Sequence, residues 1–112
     1  MNVKIALASG DGYTVNRHFG KCENFSIYEI DSETNQTRFI ETRNIQPACG
    51  DGGHSSEGLQ NTVNSISDCQ CVVACRFGYG AIKLLEENQI GPLEFTGLIE
   101  EYFEQIHLPL TK

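Results

Sequence analysis

The chain has 112 residues, 39% of them hydrophobic and 21% charged, which suits one domain with a core of its own. Its net charge of −7, with eight Lys and Arg that form no run, argues against a nucleic-acid partner, whose phosphates must be met by cations. No apolar run approaches the roughly 18 residues of a membrane helix and no charged-then-apolar leader opens the sequence, so a cytoplasmic domain without a membrane partner is expected.

Val3 to Ala8 is a short, mainly apolar run closed by Ser9-Gly10-Asp11-Gly12, the pattern of a buried strand. Ser9 to Asn24 then reads as a loop, and loops of this length in small domains are commonly functional. Phe25 to Asp31 places Phe25 and Ile27 on one face and Tyr28 and Ile30 on the other, a strand. Ser32 to Gln36 is a polar turn, and Thr37 to Asn44 completes a hairpin. A glycine-rich loop over 47–56 follows. Leu59, Val63 and Ile66 at helical spacing predict an amphipathic helix over about 56–67, with Ser55 or Ser56 as its N-cap.

Cys71 to Ala74 is the next buried strand, and Arg76 to Gly80 a strand-to-helix turn. Ala81, Ile82, Leu84 and Leu85 open a second helix that ends near Asn88-Gln89. Ile90 to Phe95 reads as a short edge strand limited by Pro92, and Leu98 to Ile106 as a third helix. Antiparallel strands followed by βα units predict an α/β fold, a mixed sheet with helices outside. Ligands in such sheets sit at the carboxyl ends of strands where the strand order switches. The strands before 9–20 and 75–80 both expose such ends, and the 44–57 loop can lie over them.

The five cysteines, Cys22, Cys49, Cys69, Cys71 and Cys75, form no CxxC pair and no zinc-finger spacing. In a reducing compartment they read as core fillers, metal ligands or redox thiols. Cys69 and Cys71, sharing a strand face with Val73, read as small apolar core residues. Cys22 reads as a structural thiol at a strand edge. Cys75 stands where a strand stops and a helix begins. Backbone N–H groups around Gly78 and Gly80 would favour a thiolate or an anion there, although a buried thiol closing the strand has the same signature. His18, on a polar loop beside Gly20, is a candidate metal ligand; a hydrogen bond to a loop carbonyl is the plainer role. Cys49 and His54 lie five apart on the glycine loop and can fold onto one metal, while Gly52-Gly53 equally suits a simple turn. Arg17, Lys21 and Arg76 flank these loops, as local attraction for an anion or as ordinary surface charge. Asp51 and Glu57 read as caps or solvated residues. No GxSxG, HExxH or Walker pattern supports a hydrolase or nucleotide site.

The blocks VKIALAS, NRHFGKCENFSIYEID, CGDGGH and CVVACRFGYGAIKLLEENQI together resemble the dinitrogenase iron–molybdenum cofactor biosynthesis family, over about residues 2–106. Its members include cofactor carriers of the NifX and NafY type and the C-terminal domain of NifB. The resemblance implies a ribonuclease-H-like mixed five-stranded sheet flanked by about three helices, as a single domain over 1–112. It implies a pocket that holds an iron–sulfur or iron–molybdenum-type cluster during cofactor assembly or delivery, with no turnover and so no enzyme. His18 matches the family's HFG histidine and Cys75 the cysteine ending the fourth strand; Cys49 and His54 fall in a middle loop that varies between relatives. Metal contact is expected from His18, Cys49, His54 and Cys75, with Arg17 and Gly78 beside the cofactor. The implied partners are the metal cluster and a metalloprotein that donates or accepts it. Two further readings stay open: a thiol or metal redox module, and an interaction domain that docks on a metalloenzyme.

Overall fold

In the computed structural model, which describes residues 2–31, 33–45 and 56–105, the first apolar run forms the middle strand of a five-stranded sheet. The strands are β1 (Asn2–Ala8), β3 (Asn24–Asp31), β4 (Thr37–Asn44), β5 (Cys71–Ala74) and β6 (Gly91–Glu94), in the order β4-β3-β1-β5-β6. β1 runs antiparallel to β3 and parallel to β5, β3 antiparallel to β4, and β5 parallel to β6. A two-stranded ribbon, β2 (Thr14–Val15) with β7 (Gly97–Leu98), stands apart from the sheet. The helices among the described residues are α1 (Ser56–Ser65), α2 (Tyr79–Glu87) and α3 (Ile99–Gln105). This is the expected mixed α/β architecture.

Alternation along the strands creates two cores. Ala6, Ala8, Phe25, Ile27, Val72 and Ala74 face α1 and α2, which contribute Val63, Ala81 and Leu85. Val3, Ile5, Leu7, Ile30, Cys71 and Val73 face the other way, under Ile99 and Tyr102 of α3 and Val15 of the ribbon. A register shift between Ile27 and Tyr28 gives β4 one extra residue, yet the expected division holds: Phe25 and Ile27 belong to one core, Ile30 and the half-buried Tyr28 to the other.

Two expectations need correction. The segment 9–24 is not irregular throughout, since it contains β2 and a 3-10 turn at Phe19–Lys21; two-residue strands leave too short a pattern to read. Cys69 does not share a face with Cys71 and Val73. β5 starts only at Cys71, and Cys69 lies before it, buried in the α1–α2 core. Pro92 sits in edge strand β6 as expected. α2 ends where Gln89 adopts a left-handed φ of 62°, with the Ile90 N–H donating to the Leu85 carbonyl at 2.9 Å and the Gln89 N–H to the Glu86 carbonyl at 3.0 Å, a Schellman motif.

Candidate functional site

β1 and β5 are parallel neighbours whose chains leave in different directions, β1 into the 9–23 loop and β5 into the turn before α2. That is the switch point at which mixed sheets hold ligands. Two phenylalanines, one from each segment, tie the exits together. Phe19 is fully buried; its ring centroid lies 5.4 Å from that of Phe77 in a stacked pair and 5.8 Å from that of Phe25. Main-chain bonds lock the same junction: Phe19 N–H donates to the Arg76 carbonyl at 2.9 Å, and Cys75 N–H to the Arg17 carbonyl at 3.0 Å. With Phe19 plugged into the core, its neighbour His18 is left exposed at the surface.

His18 opens onto a cleft of about 380 Å³ between the 3-10 turn and the start of α2. Lys21 and Arg76 bring positive charge to its walls, and Leu59 of α1 and Ala81 supply apolar surface. No carboxylate lines it among the described residues. α2 begins at this wall with Gly78 as N-cap and no side-chain cap. Its first intrahelical bond, from Ile82 N–H to the Gly78 carbonyl, is 3.0 Å, so the N–H groups of Tyr79, Gly80 and Ala81 have no partner within the helix. Such a helix start, with cations beside it, favours an anion. A Cβ added at Gly78 or Gly80 would meet nothing within 4 Å; both glycines face open space.

The remaining candidates are distributed unevenly. Gly78 lines the cleft with His18. Arg17 does not line it; its guanidinium covers Gly10, where a Cβ would run into it. Cys75, half-buried, lies at the same junction through its main chain, but its thiol donates to the Val15 carbonyl at 3.2 Å and packs toward the α3 core. Cys22 is buried, with its thiol 2.6 Å from the Asn24 carbonyl, and burial pushes its pKa up to about 11. Burial likewise raises Cys69 and Cys71 to about 12, which suits thiols that fill a core. Cys49, His54 and Asp51 lie outside the described residues. Among the described residues no three His, Cys, Asp or Glu side chains are grouped to hold a metal ion, and no helix is long and apolar enough to cross a membrane.

Sequence reasoning missed Tyr79, which is 87% exposed and lines the cleft, because it lay inside the segment read as a plain strand-to-helix turn. It also missed that Leu59 serves the cleft as well as the helix packing. The model of the dinitrogenase iron-molybdenum cofactor family matches residues 1–107. The chain belongs to this family. It is 32% identical over 107 residues to the FeMo cofactor biosynthesis protein NifB of Frankia alni, covering 93% of this chain and 21% of that protein. The chain therefore spans about a fifth of the length of that relative. Protein NifX of Azotobacter vinelandii is 26% identical over 111 residues, covering 96% of this chain and 67% of NifX. The crystal structure of PH0822 shares the fold with a TM-score of 0.71 at 18% identity, over 91% of this chain and 86% of that one. A structure from Methanocaldococcus jannaschii does so with a TM-score of 0.56 at 16% identity, over 92% and 86%.

Proposed function

We propose that this domain is a non-catalytic carrier that receives and hands on an anionic iron–sulfur or iron–molybdenum-type cluster during cofactor assembly. The observation that carries the reading is the cleft in which an exposed imidazole and two cationic side chains meet the start of α2, with no carboxylate lining it among the described residues. Imidazole ligates iron readily, and cluster sulfides accept hydrogen bonds from N–H groups. The names of the NifB relatives, FeMo cofactor biosynthesis proteins, agree with cofactor handling. His18 is the first ligand in this reading. Cys49, His54 and Cys75 are the further donors, with Gly78 beside the cargo and Arg17 joining it only by swinging away from Gly10. Cys75 would have to release the Val15 carbonyl to take part. The metalloprotein that supplies or accepts the cluster is the partner, and the compartment is the cytoplasm.

The test is anaerobic incubation with iron and sulfide, or with a cluster-loaded donor, followed by metal analysis and absorption spectra. His18→Ala should lose most of the bound metal while keeping the wild-type melting temperature. Equal metal uptake by wild type and a His18→Ala, Cys75→Ser double variant overturns the reading.

A further inference from the structure

The opposite face of the sheet holds a second depression, of about 520 Å³, between the β2–β7 ribbon, the β3–β4 hairpin and α3. Tyr13 and Leu98 of the ribbon, Tyr28 of β3 and Phe103 of α3 give it apolar walls. Among the described residues the exposed large hydrophobics are Tyr13, Phe39, Tyr79 and Leu98. Three of these four belong to this one region: Tyr13 (75% exposed) and Leu98 (44%) line the groove, and Phe39 (53%) stacks edge-on against Tyr28 at 5.5 Å. Exposed apolar side chains scattered singly are ordinary, whereas gathered at one concavity they mark a contact surface.

The charge at this groove is one-sided. Glu100 and Glu104 of α3 line it, and no Lys, Arg or His does so among the described residues. Neither carboxylate forms an ion pair with a described residue. They stand four positions apart, the spacing at which like charges oppose a helix. Glu100 gains from the positive start of α3, but Glu104 sits in the last turn, where the helix dipole disfavours a carboxylate. Among the described residues no cation offsets this cost to α3.

We infer that this groove docks a basic segment of a partner protein, with Lys or Arg reaching Glu100 and Glu104 and apolar side chains entering between Tyr13, Leu98 and Phe103. An anionic cluster is excluded by the same carboxylates. A second copy of this chain, itself at −7, would meet like charge. The inference does not depend on what the His18 cleft holds.

The test uses the full isotope-labelled chain and three short synthetic peptides: Lys alternating with Leu, Glu alternating with Leu, and Lys alternating with Ser. The Lys–Leu peptide should bind and shift the amide signals of Gly12, Tyr13, Thr37 and Leu98, more weakly as salt rises. Glu100→Lys with Glu104→Lys should weaken it about tenfold or more, as should Tyr13→Ser; both sites are surface positions. His18→Ala and the α2 pair Glu86→Lys with Glu87→Lys should bind like wild type. The proposal is overturned if that control pair weakens binding equally, if the Glu–Leu or Lys–Ser peptide binds as well, if the shifts map to the His18 cleft, or if no peptide binds. Concentration-dependent dimerisation abolished by Tyr13→Ser would overturn it in favour of a second copy.

Discussion

At the scale of single residues, Phe19 decides where His18 stands. Its ring fills the junction of β1 and β5 against Phe77 and Phe25, so the preceding imidazole has nowhere to go but outward. Replacing Phe19 by Ala should cost about 3–5 kcal/mol, read by chemical denaturation. Asp11 plays the corresponding part earlier in the loop. Its carboxylate accepts the Tyr13 and Thr14 N–H groups at 2.8 and 2.9 Å and the Thr14 hydroxyl at 2.8 Å. Those bonds, the Tyr13 N–H first, hold its pKa well below the usual carboxylate range. The stability these bonds give the loop is therefore complete above the ordinary Asp value of about 3.9 and is lost as pH falls through the lowered one. Asp11→Ala should speed amide hydrogen exchange over residues 12–14 at neutral pH with little effect on the core. The buried thiols behave oppositely to reactive ones. With pKa values raised to about 11 to 12, Cys22, Cys69 and Cys71 should resist iodoacetamide in the folded protein, and among the described thiols Cys75 should react first. Fast alkylation of Cys22, Cys69 or Cys71 would show that burial does not protect them.

At the scale of elements, the sequence was informative where periodicity ran long enough. β3 and β4 each span eight residues; the alternation of β3 set its faces as well as its extent, whereas β4, broken by its extra residue, was legible only as a strand. α1 was legible from Leu59, Val63 and Ile66. The β2–β7 ribbon was not, because two dipeptides more than eighty positions apart carry no local pattern. The candidate site divides in the same way. That His18 lies on a loop could be read from the glycines around it, but which side of the junction the Cys75 thiol faces depends on sheet register, and the strand pattern gave only its end position. α2 offers a test of its role as a cleft wall. Gly80 lies in its first turn with open space where a Cβ would go. Gly80→Ala should stabilise the fold by about 0.5–1 kcal/mol through helix propensity and chain entropy, and the added methyl should reduce cluster uptake if the cargo reading is right.

At the scale of the whole molecule, one polar clamp joins regions far apart in sequence. Arg43 of β4 donates to both carboxylate oxygens of Asp68 at 2.7 and 2.8 Å and to the Ser65 carbonyl at 2.8 Å, while Lys4 of β1 reaches Asp68 at 3.1 Å. The Arg43 guanidinium, foremost, holds the Asp68 carboxyl below its normal pKa. The clamp's contribution is complete above the ordinary value of about 3.9 and lost as pH falls through the lowered one. Because Asp68 is substantially exposed, Arg43→Ala should cost only about 1 kcal/mol at neutral pH. The variant should also lose less further stability than wild type on acidification, as followed by thermal melts across the acid range.

The two outer strands have a consequence for how such a domain can share a crowded assembly. On β6 the Gly91 and Phe95 N–H groups point inward, to the carbonyls of Gln70 and Ala74. The alternate positions, Pro92 and Glu94, face out, and Pro92 has no hydrogen to give. On the far side, β4 carries Arg38, Glu41 and Arg43 along a strand kinked by its extra residue. Neither border offers a straight, bare template, so strand addition from another molecule is disfavoured at both edges of the five described strands.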